Sequence, residues 1–440
     1  MIYREKTRRA IDKRAKAAAL AAVLAMSLFL SSCTTFNSFR NQFITPATED
    51  MEKTITIGVF EPQTGRNADK GNAELKGIEL ANSIYNNVDG YRVVLAKVDT
   101  QSSVSATESA VSGLASMNPV AIIGSAGEAT SLAASSIIEE NKIPTITPSA
   151  TNPLITQGNF YYFRASLTES QMGEGLAEYA AKELNSEKIG IISTKNDSSI
   201  VAMLESFEAR VKKIKGKKNK SIYFQAEVTP TDEELKDSVE KLKRRQIDVC
   251  FAPMPMETMD AFFTLIEESE MTNVTFLGTR AWGETAFIQM MEKHPKIKIV
   301  FPYESVFSGT SSTSDSITEE AQRFQIEYAD RYGIDDVPTY NAALGYDAYL
   351  ILINAIHNAR SLEGMDVRSA MLNLNELKCS TGVFSFDDTG NVVRSVTLSS
   401  LKDGKPVNEY VSEIESKSKT LENVEDKQEV QQEQEQKNGD

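Results

Sequence analysis

Short apolar runs alternate with longer amphipathic stretches over most of this chain. Residues 53–60 (KTITIGVF) read as a buried strand, after which Leu75, Ile78, Ala81 and Ile84 recur at helical spacing. Residues 91–98 (YRVVLAKV) form a second apolar run, followed by a helix marked by Val104, Thr107, Val111 and Leu114. Strands are then expected at 121–124 and 143–147, around a helix carrying Leu132, Ala133, Ser136 and Ile137. Such alternation predicts a parallel sheet with helices on both faces. After Phe160-Tyr161-Tyr162-Phe163-Arg164 it begins again, with a helix marked by Met172, Leu176, Tyr179 and Ala180. Strands follow at 188–194, 221–228, 247–252, 273–277 and 297–301, separated by helical stretches. Further helices are expected near 319–332 and 340–359, and strand-like runs at 382–386 and 391–398. The fold class is therefore α/β, with two doubly wound parallel-sheet lobes.

Two of these strands end in small and hydroxyl residues, Ser125-Ala126-Gly127 and Ser149-Ala150-Thr151. In an open α/β sheet, ligands sit beyond the carboxyl ends of the strands, where backbone amides and helix N-termini converge. Two neighbouring strands with such ends make one wall of a pocket.

A chain of 440 residues is long enough for two lobes, and 41% hydrophobic with 25% charged residues is ordinary for a globular protein. A net charge of −15 argues against nucleic acid as a partner, because an acidic surface repels phosphate. Three cysteines, Cys33, Cys250 and Cys379, do not make a disulfide framework. Cys250 reads as a small buried hydrophobe, with a Cys250–Cys379 bridge or a reactive thiol as alternatives. His294 lies in a charged loop and His357 ends an apolar helix, so neither pairs with a nucleophile. HExxH, GxSxG, P-loop and paired-cysteine patterns are missing, and Asp387-Asp388 reads as a turn before Gly390. No enzyme chemistry, cofactor or metal is expected. The lysine run at 212–220 reads as solvated surface, or as a contact to anionic lipid or polymer.

The first residues are basic, and 17–30 form an uncharged apolar stretch too short for a comfortable membrane span. Leu30-Ser31-Ser32-Cys33 resembles the lipobox of bacterial lipoproteins. That resemblance implies a signal peptide over 1–32, lipidation of Cys33 and a polar tether through residue 52, holding the protein at a membrane outside the cytoplasm. Several acyl chains give lasting anchorage where one is reversible. Residues 411–440 are rich in Glu, Gln, Lys and Asn and lack aromatic residues, so a disordered tail is expected there.

Further segments resemble the leucine/isoleucine/valine-type substrate-binding proteins of ABC transporters. They are Ile57-Gly58-Val59 running into Pro62, Thr64-Gly65, Ala68, Gly71 and Gly77, then Ala121-Ile122-Ile123-Gly124, and Ile143-Pro144 with Thr147-Pro148-Ser149-Ala150-Thr151-Asn152-Pro153. Downstream come Tyr162-Phe163-Arg164, Gln171-Met172-Gly173, Leu277-Gly278 with Trp282, Gly345-Tyr346-Asp347-Ala348, and Phe386-Asp387 with Gly390.

The resemblance implies the type I periplasmic-binding fold, with lobes at 53–165 plus 303–378 and at 166–302 plus 379–410. Three crossovers, near 163–166, 301–303 and 377–381, would join them around a ligand cleft that closes by hinge motion. It also implies a small polar ligand, amino-acid-like, an amide or a short peptide, passed to an ABC-transporter permease. The family's carboxylate-holding serine falls at Glu128, in the loop of Ala126 and Gly127. Its backbone and hydroxyl contacts fall at Ser149, Ala150 and Thr151, its aromatic cover at Ser199, its ammonium-binding acid at Arg280, and its bulky residue before Gly71 at Lys70. Glu128 repels a carboxylate and Arg280 repels an ammonium, which disfavours a simple branched-chain amino acid. Either the ligand differs, or Glu128 and Arg280 pair across the cleft. A regulator or sensor that keeps the fold to bind another envelope protein is the alternative.

Overall fold

The computed structural model describes residues 53–197, 200–216, 221–303 and 318–412. Cys33, the expected leader and tether, Ser199 and residues 413–440 of the expected tail lie outside the described residues.

The first sheet is built on β1 (Thr54–Glu61), buried without interruption from Ile57 onward, as suits a central parallel strand covered on both faces. After it come α1 (Ala68–Ile84), β2 (Asn87–Val88), β3 (Tyr91–Asp99), α2 (Val104–Ser116), β4 (Ala121–Ile123), α3 (Glu128–Asn141), β5 (Thr145–Thr147) and β6 (Tyr162–Arg164). Strand order is β2-β3-β1-β4-β5-β6, parallel apart from the β2–β3 hairpin. Helix starts carry the caps their sequences offer: the Ser103 hydroxyl accepts the Ala106 amide at the head of α2.

From β6 the chain crosses to a second sheet through α4 (Glu169–Glu178). Thr168 and Gln171 close a reciprocal capping box at its start. Then come β7 (Ile189–Thr194), α5 (Val201–Lys215), β8 (Ile222–Val228), α6 (Asp232–Arg245), β9 (Val249–Phe251), α7 (Met256–Glu268), β10 (Thr275–Leu277), α8 (Thr285–Met291) and β11 (Lys298–Pro302).

After β11 the chain returns to the first sheet with α9 (Glu319–Tyr332), α10 (Tyr340–Asn358) and α11 (Gly364–Leu372), followed by the small hairpin β12 (Leu377–Cys379) and β13 (Gly382–Phe384). A third crossing brings it back to β14 (Thr397–Lys402) and β15 (Lys405–Val411), which extend the second sheet in antiparallel fashion. The second sheet runs β15-β14-β11-β10-β9-β7-β8. Two sheets, each flanked by helices and joined by three crossings, form the type I periplasmic-binding fold.

Helix α10 is buried almost all round, from Ala342 to Ile356, and packs against α1. A Cβ on Gly77 would lie 1.8 Å from the Ala342 carbonyl oxygen, and one on Gly345 would lie 2.2 Å from that of Glu74. Only glycine lets the two backbones approach this closely.

Several local expectations need correcting. The strand expected at 391–398 begins only at Thr397; Asn391 and Val392 make isolated bridges instead. Its partner β15 ends at Val411, the first residue of the expected disordered tail. Helices α8 and α11 are short, seven and nine residues, and too brief to show a clear period. Cys250 and Cys379 are both free and buried, so no bridge joins them.

Candidate functional site

A cavity of about 1180 Å³ lies between the two sheets, at the carboxyl ends of their strands. Helices α1, α3, α4, α5, α7, α8 and α10 all begin at or beside residues that line it. Their positive dipole ends therefore lie toward the cavity, a setting that favours negative charge.

Seven of the nine ligand residues expected from the sequence line this cavity: Lys70, Ala126, Gly127, Glu128, Ser149, Thr151 and Arg280. Ala150 does not; at 1% exposure it packs into the apolar cluster behind the loop. Ser199 lies outside the described residues, and its neighbours Asp197 and Ile200 line the cavity.

On the first-sheet side the acids hold the loops. The Glu128 carboxylate, at the first position of α3, accepts the backbone amides of Thr151 at 2.8 Å and Asn152 at 2.9 Å, and the Thr151 hydroxyl at 3.3 Å. The pairing of Glu128 with Arg280, one of the two alternatives left by the sequence, is not formed, because that carboxylate is turned onto its own lobe. Ser149 likewise points inward and donates its hydroxyl to the Glu74 carboxyl. Arg164, fully buried, donates to the Asn152 carbonyl at 2.6 Å and fixes the same loop from below.

Beneath both loops lie two fully buried acids that sequence reasoning missed, Glu61 and Glu74. Glu61 accepts the Ala126 amide at 2.8 Å. Burial, followed by the neighbouring Glu74 charge, pushes Glu61 well above the usual carboxylate range. Burial pushes Glu74 up to about 8, opposed by the Ser149 and Glu61 hydrogen bonds. A signal for Glu74 was present: it falls one helical turn before Ile78, on the apolar face of α1. Glu61 gave less, since an acid between an apolar run and Pro62 looks like the first residue of a turn.

On the second-sheet side Arg280 lies with its guanidinium 4.5 Å from the Tyr340 ring centre. The Tyr340 hydroxyl accepts from Arg394 at 2.6 Å, which holds the ring in place. Arg280 has no ion-pair partner among the described residues, and its Nε is buried without a hydrogen bond. Tyr303 adds a second aromatic residue to the lining, and Met172, Met203 and Met254 also line the cavity. Glu169 at the start of α4 is half-desolvated. Burial, then the charge of Glu128, raises it to about 7.

His294 bridges Asp260 and Glu267, and His357 meets Asp89; neither lines the cavity. Among the described residues no group of three His, Cys, Asp or Glu could hold a metal ion. No described helix is long and apolar enough to cross a membrane.

Two α/β lobes with a mixed polar and aromatic cleft at their strand ends define a bilobal ligand-binding protein. Residues 54–406 match the periplasmic binding protein family, and the chain belongs to it. It is 28% identical over 201 residues to a Leu/Ile/Val-binding protein homolog of Brucella melitensis, covering 45% of this chain and 53% of that protein. The match thus spans about half of that relative's length. It is 23% identical over 372 residues to the Leu/Ile/Val-binding protein BraC3 of Rhizobium johnstonii, covering 80% of this chain and 93% of that one. The structure resembles that of a leucine-binding protein from Thermotoga maritima, with a TM-score of 0.63 and 23% identity over 81% of this chain and 98% of that one.

Proposed function

We propose that this chain is a lipid-anchored substrate-binding protein of an ABC importer, capturing a small polar ligand between its lobes. The observation that carries this is Arg280, held over the Tyr340 ring in the cleft and without an ion-pair partner among the described residues. A planar guanidinium held this way suits a carboxylate or carbonyl group, which it can grip with two parallel hydrogen bonds. The ligand then presents its anionic or carbonyl end to the second sheet, while Glu128 and Glu169 oblige its other end to be neutral, donor-rich or cationic. Amino-acid-like compounds, amides and short peptides fit this description, and the Leu/Ile/Val-binding relatives support the first of them. Hinge motion at the three crossings closes one lobe against the other. Lipidation at Cys33, supported by Leu30-Ser31-Ser32-Cys33, keeps the receptor beside its permease.

A thermal-shift screen of amino acids, short peptides, amides and polyamines tests the reading. A ligand at a hundredfold over its dissociation constant adds about 2.7 kcal/mol of stability. No shift with any class would overturn it. The engagement of Glu128, Ser149 and Thr151 with protein groups favours one second reading, a lipoprotein that binds another envelope protein. Pull-down from solubilised envelope separates the two, permease subunits supporting the first and cell-wall enzymes the second.

A further inference from the structure

We propose that Glu61 and Glu74 act as a single acid pair sharing one proton, and that this proton holds the two cleft loops, 125–127 and 149–151, in register with each other. The geometry is that of a bridge. One oxygen of each carboxyl is committed outward: Glu61 Oε2 accepts the Ala126 amide, and Glu74 Oε1 accepts the Ser149 hydroxyl. The remaining oxygens, Glu61 Oε1 and Glu74 Oε2, are buried and bond no other group. Each carboxyl acts on the other, and two such acceptors can share a dry interior only with a proton between them. Ala126 and Ser149 both line the cleft, and the pair joins them through strand β1 and helix α1.

The surroundings supply little to neutralise a second charge. Lys70 on α1 acts on Glu74 from the exposed rim, and Glu128 on α3 opposes it. From β6, Tyr162 senses Glu61, and the buried Arg164 is already bonded to the Asn152 carbonyl. From α10 the Gly345 position abuts the Glu74 backbone, and that helix's one carboxylate, Asp347, is bonded by Ser380 and Thr381. From α3 the Ser131 hydroxyl bonds the Ser125 carbonyl, which adds no charge. Losing the shared proton therefore leaves two neighbouring carboxylates with only Lys70, at the exposed rim, to offset them. The loops they hold must part or admit water.

The linkage has a definite sign. Carboxyls raised when closed bind a proton that opened loops release near the ordinary value of 4.5. Opening is therefore favoured progressively as pH rises from there, and levels off only once the closed pair itself ionises, well above the usual carboxylate range. The sign depends only on the pair and stands apart from the identity of any ligand.

Hydrogen exchange followed by mass spectrometry, without ligand and corrected for the intrinsic amide rate, tests this. In the wild-type protein, peptides spanning 121–128 and 145–152 should open about tenfold more per pH unit between pH 6 and 8. Glu74→Gln carries its own N–H to donate to Glu61, so it should remove the slope while keeping protection at pH 6. Glu61→Gln serves the same purpose if the first variant folds poorly. A flat wild-type profile, a slope that survives in both glutamine variants, or an equal slope in the second-sheet peptide 249–254 would each overturn the proposal.

Discussion

On the first-sheet side of the cleft, Glu61, Glu74 and Glu128 each bond a group of a cleft loop, while on the second-sheet side Arg280 rests on an aromatic ring with no ionic partner among the described residues. One wall uses charge to hold its own backbone; the other holds charge in reserve. Residues that look alike in a list of cavity-lining side chains therefore answer to different measurements. A change on the first wall reads out in folding, and a change at Arg280 reads out in binding.

Substitutions that break this contrast rank by expected size. Glu61→Ala should have the largest effect, because it strands the Ala126 amide and leaves Glu74 buried without its partner. A loss of about 3 kcal/mol is expected in urea unfolding, since each stranded buried polar group costs about 1–3 kcal/mol. Glu128→Ala follows, freeing the Thr151 and Asn152 amides. Hydrogen bonds to a charged group put that at about 1.5–3 kcal/mol, reduced by the exposure of Glu128, and should raise protease sensitivity at 149–153. Arg280→Ala should shift unfolding by no more than about 0.5 kcal/mol. Its affinity for whichever screened ligand binds should nevertheless fall at least about tenfold by calorimetry. Equal stability losses in Glu128→Ala and Arg280→Ala would dissolve the contrast between the walls.

Glu169 sharpens it further. Raised to about 7 by burial and by Glu128, it is protonated below that pH and adds a negative charge to the cleft above it. Affinity for a ligand with an anionic end should therefore decline by a few-fold between pH 6 and 8, and Glu169→Gln should flatten that decline. A cationic ligand would show the opposite slope, so the same titration reports the ligand's sign.

The sheets were legible because buried parallel strands leave short apolar runs, and the runs at 121–124 and 188–194 sit within a residue of β4 and β7. The loops 125–127 and 149–151 were legible because small hydroxyl residues follow those runs directly. What side chains do there was not. Ser149 and Thr151 carry hydroxyls that suit a ligand, yet whether they turn outward depends on Glu74 and Glu128, which reach them from two different helices. Tyr340 escaped notice for a related reason. It begins a helix 60 residues beyond Arg280, and only the chain's second crossing brings the two together. Local pattern reports which face of an element is dry; it does not report which distant residue arrives to share a proton or stack on a cation.

The glycine contact between α1 and α10 restricts how this receptor can change over generations. With Gly77 and Gly345 pressed on carbonyl oxygens, any side chain at either position pushes the helices apart, and with them Lys70 and Tyr340 at their cleft ends. Drift in ligand preference has to occur elsewhere. Its open routes are the methionines and Arg280 on the opposite wall, where a replacement alters what is held without disturbing the frame that holds it.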